Sequence, residues 1–220
     1  LFNLSHVVSG EADLPSTILG GPNGIRIVPA SSGSFSMTDL PVAAQVGIIQ
    51  AFSALSNQPE ILIVDTAAGI SPKVARFVQA AQHPVVVVHD EPASLTDACA
   101  LIKVFSQNYG ITHFQVVSNK TRNAAEGKHL FRKLSRVTDH YLDVVLRHAG
   151  DSPEDRYLKK AVQEQRAVVE AYPRSGSGQA FQALAAVIDA LPIAREASGG
   201  IEFFFERLLM ADSNRRGKVA

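Results

Sequence analysis

Continuous apolar runs alternate with helically spaced segments through most of this chain. Glu60-Ile61-Leu62-Ile63-Val64-Asp65 is an apolar run closed by an acid, and Pro84-Val85-Val86-Val87-Val88 repeats the pattern before His89-Asp90. Uninterrupted runs of this kind fill strands buried on both faces, as in parallel sheets. His113-Phe114-Gln115-Val116-Val117-Ser118 and Leu142-Asp143-Val144-Val145-Leu146 are further, weaker copies. Apolar residues at the helical period predict helices over 38–56, 72–82, 94–109 and 124–137, and others near 154–163 and 177–190. Ser36 or Thr38 is placed to cap the first of these, and Ser94 the third. Upstream, Gly24-Ile25-Arg26-Ile27-Val28-Pro29 follows the turn cluster Gly20-Gly21-Pro22-Asn23 and reads as a short strand. The alternation predicts an α/β fold, doubly wound around a mostly parallel sheet. Ligands of such sheets bind beyond the carboxyl ends of the strands. That rule singles out Asp65 to Gly69, Asp90 to Pro92, Ser118 to Lys120, and Gly150 to Asp155.

The C-terminus has a different pattern. After Ser198-Gly199-Gly200, residues Ile201, Phe204, Phe205, Leu208 and Leu209 fall on one helical stripe about 140° wide, with Glu202, Glu206 and Arg207 off it. Arg215, Arg216 and Lys218 follow. An aromatic amphipathic helix with a basic trailer is either an in-plane membrane anchor or a terminal helix docked on its own core.

Composition narrows the classes. The 220 residues hold 21 Lys plus Arg, 21 Asp plus Glu and 46% hydrophobic residues, which excludes disorder and gives no basic excess for direct nucleic-acid binding. The single Cys99 forms no intramolecular disulfide and fits a reducing compartment, the cytoplasm. No apolar run approaches the ~18 residues of a membrane span. The seven His show no i, i+4 ligand spacing, and no Gly-x-Ser-x-Gly elbow occurs. The chain opens on Leu1 without an initiating Met, as a fragment would.

Candidate chemistry gathers at the strand ends. In Val64-Asp65-Thr66-Ala67-Ala68-Gly69-Ile70 an Asp closing a buried strand can hold a water on Mg²⁺, and a Gly four residues later admits a backbone N–H to a terminal phosphate. The same pattern also suits a strand that ends in a simple turn. Asn119, beyond an apolar strand, can present donor and acceptor to an adenine edge or close an Asx-turn. Asp90-Glu91-Pro92-Ala93-Ser94 reads as the acidic first turn of a helix.

Together with Gly24 to Gly33, Asp90 to Ala98, Ala161-Val162-Gln163-Glu164-Gln165-Arg166-Ala167-Val168 and Ile201 to Leu209, these motifs resemble the MinD/ParA superfamily of deviant-Walker ATPases, specifically the flagellar-number regulators of the FlhG/FleN type. The resemblance implies a MinD-like fold of the P-loop NTPase type and an ATP-driven homodimer switch. It further implies a place in the cytoplasm and, peripherally, at the inner membrane of the cell pole, with a flagellar transcription activator as the restrained partner. By the same resemblance, Asp65 serves Mg²⁺, Thr66 binds the nucleotide, Gly69 serves the γ-phosphate region and Asn119 the adenine, and the loop Gly150 to Asp155, with Pro153, closes over the base.

The phosphate-binding loop of that family, Gly-Gly-x-Gly-Lys-Thr, is absent, and the nearest fragment is Gly127-Lys128-His129. The expected layout is therefore a nucleotide-switch domain over 1–195 without its N-terminal P-loop strand, then a linker, membrane helix and basic tail over 196–220. The expected activity is ATP hydrolysis by the intact protein and none by these 220 residues alone. The alternatives are a septum-site-determining ATPase of the MinD type and a nucleotide-independent regulatory binding module.

Overall fold

A computed structural model describes residues 2–29 and 42–192 together with Phe204, Arg207 and Leu208. The chain divides into two compact units, one within 1–67, 71–81 and 194–220, the other formed by 68–70 and 82–193.

The first unit is mainly helical. Helix α1 (Leu4–Ser9) starts at a capping box in which Asn3 Oδ1 accepts from Ser5 N at 2.9 Å and Asn3 N donates to His6 Nδ1 at 3.2 Å. Asp13 caps the one-turn α2 (Leu14–Thr17). Strands β1 (Leu19–Gly20) and β2 (Arg26–Ile27) pair as a short antiparallel ribbon, so the strand predicted over 24–29 is two residues long. Helix α3 (Val42–Ser53) occupies the centre of the span predicted as 38–56, while the proposed caps Ser36 and Thr38 and the stretch 30–34 lie outside the described residues. In α4 (Pro72–Ala80), Ser71 Oγ accepts from Val74 N at 3.4 Å and Pro72 occupies the first turn, where its missing N–H costs nothing. The core of this unit joins Leu4, Leu14, Ile48, Phe52, Ala80 and Leu208, bordered by Phe77 and Phe204.

One expectation fails here. Ile61 to Asp65, read as a strand buried on both faces, forms no strand, and Ile61, Leu62 and Ile63 are 53%, 41% and 83% exposed. A buried parallel strand needs a hydrogen-bonded neighbour and covering helices, and among the described residues no strand pairs with this segment.

The second unit carries the parallel sheet. Its order is β3 (Val85–Val88), β4 (His113–Thr121), β5 (Val145–Pro153), with α5 (Pro92–Tyr109) and α6 (Ala124–Tyr141) as successive crossovers. Then follow α7 (Arg156–Gln163), α8 (Val168–Ala171) and α9 (Gly176–Asp189). Every residue of β4 from Phe114 to Ser118 is buried, as its central position requires. In β3, Val86 and Val88 are buried while Val85 and Val87 are exposed. Space beside Gly150 is taken by Leu184 of α9 and space beside Gly127 of α6 by Asp151, so adjacent residues of β5 face helices on opposite sides of the sheet. This is the doubly wound arrangement.

Two local expectations are corrected. Ser94 is not the cap of α5: Glu91 holds that position, and Ser94 Oγ instead accepts from His89 N at 3.1 Å. The strand expected at 142–146 begins at Val145 and runs to Pro153, because α6 continues through Tyr141 to its cap at Leu142.

Candidate functional site

The carboxyl ends of β4 and β5 form a lip in the second unit. Asn119 pairs with Ser152 and Thr121 with Pro153, and a register shift between them leaves Lys120 unpaired at φ 54°. Asn119 is therefore inside the strand rather than past it. Its Oδ1 accepts from Lys120 N at 2.9 Å, which orients the amide. The oxygen keeps a second lone pair and Nδ2 keeps two donors. Asn119 is half-buried, so this edge meets solvent at the sheet end where ligands of doubly wound folds bind. Glu154 N donates to Thr121 O at 2.9 Å and fastens the two strands after Pro153.

Asp155 anchors the far side of the lip. Its Oδ1 accepts from Tyr157 N at 2.8 Å, capping α7, and its Oδ2 accepts from Ser177 N at 2.8 Å in the first turn of α9. The Ser177 amide, more than any other group, holds the Asp155 carboxyl below the usual carboxylate range, with Tyr157 N adding to it. Ser175 Oγ accepts from Gly178 N at 3.0 Å, and Ser177 Oγ donates to Pro153 O at 3.4 Å. A Cβ on Gly178 would lie 2.5 Å from Tyr172 O, so only glycine lets the turn before α9 close this tightly. Tyr157 and Tyr172 meet at 5.1 Å between ring centroids, with Arg156 and Lys160 over their faces at 4.9 and 5.3 Å. Sequence reasoning missed Asp155 as the organising residue. The signal was present, since Pro-Glu-Asp before a helical pattern places an Asp at the N-cap.

The remaining expected site residues are distributed between the units. Asp65 and Thr66 lie in the first, exposed, while Gly69, Asn119 and Pro153 lie in the second. Gly69 is exposed at φ 103°, a backbone conformation that side chains disfavour, consistent with a turn that presents its N–H. Among the described residues no group of three or more His, Cys, Asp or Glu gathers at one point. A Mg²⁺ held by one carboxylate, waters and phosphate oxygens does not require such a group.

Of the C-terminal stripe, Ile201, Phe205 and Leu209 lie outside the described residues. Leu208 is fully buried and Phe204 half-buried in the first unit's core, with the Phe204 ring stacked on Phe77 at 6.4 Å. Among the described residues no helix is long and apolar enough to cross a membrane.

No protein-family profile matches the chain. It is 48% identical over 206 residues to the antiactivator FleN of Pseudomonas aeruginosa, covering 94% of this chain and 74% of that protein. It is 26% identical over 214 residues to the flagellum site-determining protein YlxH of Helicobacter pylori, covering 94% of this chain and 71% of that one. In structure it resembles the cell division ATPase MinD of Pyrococcus furiosus, with a TM-score of 0.63 at 17% identity over 87% of this chain and 76% of that one. The septum site-determining protein MinD of Pyrococcus horikoshii, solved with Mg-ADP, gives a TM-score of 0.61 at 19% identity over 86% and 74% of the two chains. The structural likenesses establish a MinD-like fold, and identity of 48% over nearly the whole chain establishes more: the chain belongs to the family of the antiactivator FleN.

Proposed function

We propose that this protein is an ATP-dependent switch that limits flagellar number and placement by restraining the transcription activator of the flagellar genes. The observation that carries this reading is the 48% identity, over 94% of the chain, to an antiactivator. The flagellum site-determining relative points the same way. A division-site role rests on MinD likenesses at 17% and 19% identity, which speak to fold alone.

The lip at Asn119 and Pro153 fits the purine end of a nucleotide. One side offers an oriented amide with free donors, and the other a proline backbone fixed by Asp155 and Ser177. The phosphate end is served differently. These residues contain no Gly-Gly-x-Gly-Lys-Thr cradle, so they supply only Asp65 for a Mg²⁺-bound water and the Thr66 to Gly69 turn for the γ-phosphate region. Bound Mg-ATP supplies the phosphoanhydride whose hydrolysis times the switch. In this reading the ATP form is a homodimer, and the C-terminal helix brings it peripherally to the inner membrane at the cell pole. Lipid contact requires Phe204 and Leu208 to leave the core they occupy, so docking and membrane binding exclude each other.

The test is a deletion of the gene, with flagella counted per cell by electron microscopy and flagellar transcripts measured. Excess flagella and raised transcripts, both reversed by the parent gene, are the expected result. Unchanged flagellation with misplaced septa would overturn the flagellar reading and favour the division-site one.

A further inference from the structure

Beneath the lip lies a polar cluster that no expected role uses. Strand β5 bulges at Ala149, for Val116 pairs with His148 but Val117 with Gly150. Residues three apart on a regular strand point to opposite faces, and the extra residue brings His148 and Asp151 to the same one. There His148 Nε2 lies 3.1 Å from Asp151 Oδ1 and 3.3 Å from Ser118 Oγ. Ser118 Oγ, fully buried, donates to Gly127 O of α6 at 3.0 Å. The imidazole stacks on Phe131 of the same helix at 5.1 Å. A Cβ on Gly127 would overlap the Asp151 carboxylate, so the bare glycine is what lets this acid seat against the helix.

Two residues of the cluster sit one position before the first paired residues of the lip. Ser118 precedes Asn119, and Asp151 precedes Ser152, its pairing partner. Because strand side chains alternate, fixing Ser118 and Asp151 toward α6 fixes Asn119 and Ser152 toward the other face. A slip of one residue in β5 would bring a neighbour of Ser152 beside Asn119 and reverse every side chain after the bulge. Resting on the purine-site reading above, we propose that Asp151, seated between His148 and Gly127, is a positioning residue that sets the register of the lip and thereby the purine contact of Asn119 and Pro153. Neither Asp151 nor His148 touches nucleotide in this role.

The experiment uses the gene's complete product and compares Kd values for Mg-ATP and for inorganic tripolyphosphate in the parent, Asp151→Ser, His148→Phe and the double variant. Phe keeps the ring on Phe131 and removes the nitrogen that faces Asp151. Each single variant is expected to lose about tenfold of the preference for ATP over tripolyphosphate, as misplacing a contact group costs, with tripolyphosphate binding unchanged. The double variant should lose no more than the worse single, because both act through one register. A lowered melting temperature with the ATP preference intact would reduce the cluster to packing and overturn the proposal. Should Asp151→Ser fail to fold, His148→Phe decides by the same ratio. A parent protein that does not prefer ATP over tripolyphosphate would sink the purine-site reading itself, and this proposal with it.

Discussion

Replacing Phe77 by Ala separates the two roles open to the C-terminal helix, because it changes the receiving surface and leaves the helix's own stripe intact. Phe77 on α4 stacks against Phe204 at 6.4 Å and 20° between ring planes, at the border of the core that holds Leu208. Truncating a fully buried Phe costs about 3–5 kcal/mol. Phe77 is half-buried, so a loss of about 2 kcal/mol from the docked state is the working figure, part of it the aromatic pair. That corresponds to a shift of about 30-fold toward the undocked helix. Lipid affinity of the released helix is unchanged by Phe77→Ala, so apparent affinity for vesicles should rise by up to that factor, as the competent fraction grows. Flotation with phosphatidylglycerol vesicles reads the gain, and urea unfolding reads the loss of core stability. A reduced urea midpoint without greater flotation would mean that the helix does not exchange between core and bilayer. Leu208→Glu should also undock the helix, since Leu208 is fully buried, but with its apolar stripe broken it should abolish flotation.

Asp155→Ala removes an acceptor shared by two helix N-termini and should cost about 1 kcal/mol or more at neutral pH. Because folding lowers the Asp155 pKa, its contribution is complete above about pH 4 and fades as pH falls through the folded value, so parent and variant melting curves should converge in acid. A gap that persists at low pH would assign the loss to packing instead. In the gene's complete product, Asp65→Ala should abolish ATP turnover while shifting stability by less than about 0.5 kcal/mol, since this side chain is exposed; retained turnover would mean that another acid serves the metal. The 220-residue polypeptide by itself should enhance the fluorescence of a hydrophobic dye through Ile61, Leu62, Ile63, Val85 and Val87, and show no micromolar ATP binding in calorimetry. A dye-silent, sharply melting monomer or a measurable ATP isotherm would refute that expectation.

The pattern of residues along the chain determined the fold class and much of the element order. Valine runs at 85–88 and apolar positions at 114–117 are strand signals in any context, and the helical periods of α4, α5, α6 and α9 place those helices within a few residues. Asn119 and Pro153 lie at the carboxyl ends of β4 and β5, where the rule for doubly wound sheets looks for ligands, whereas Asp65 follows a segment that forms no strand. Tertiary structure decided the rest. Ile61 to Val64 has the composition of a buried strand, yet a strand exists only when a neighbour supplies its hydrogen bonds, and no local pattern encodes that neighbour. The stripe at Phe204 and Leu208 serves a bilayer or a protein core equally well in sequence, and only the structure places Leu208 in one core cluster with Leu4, Ile48, Phe52 and Ala80. The bulge at Ala149 was illegible for the same reason: it arises where His148 and Asp151 meet Ser118, 30 or more residues away, against a glycine on another helix. Periodicity reports what each segment offers to its surroundings, whereas register, pairing and burial are set by partners distant in the chain and fixed only when the whole is packed.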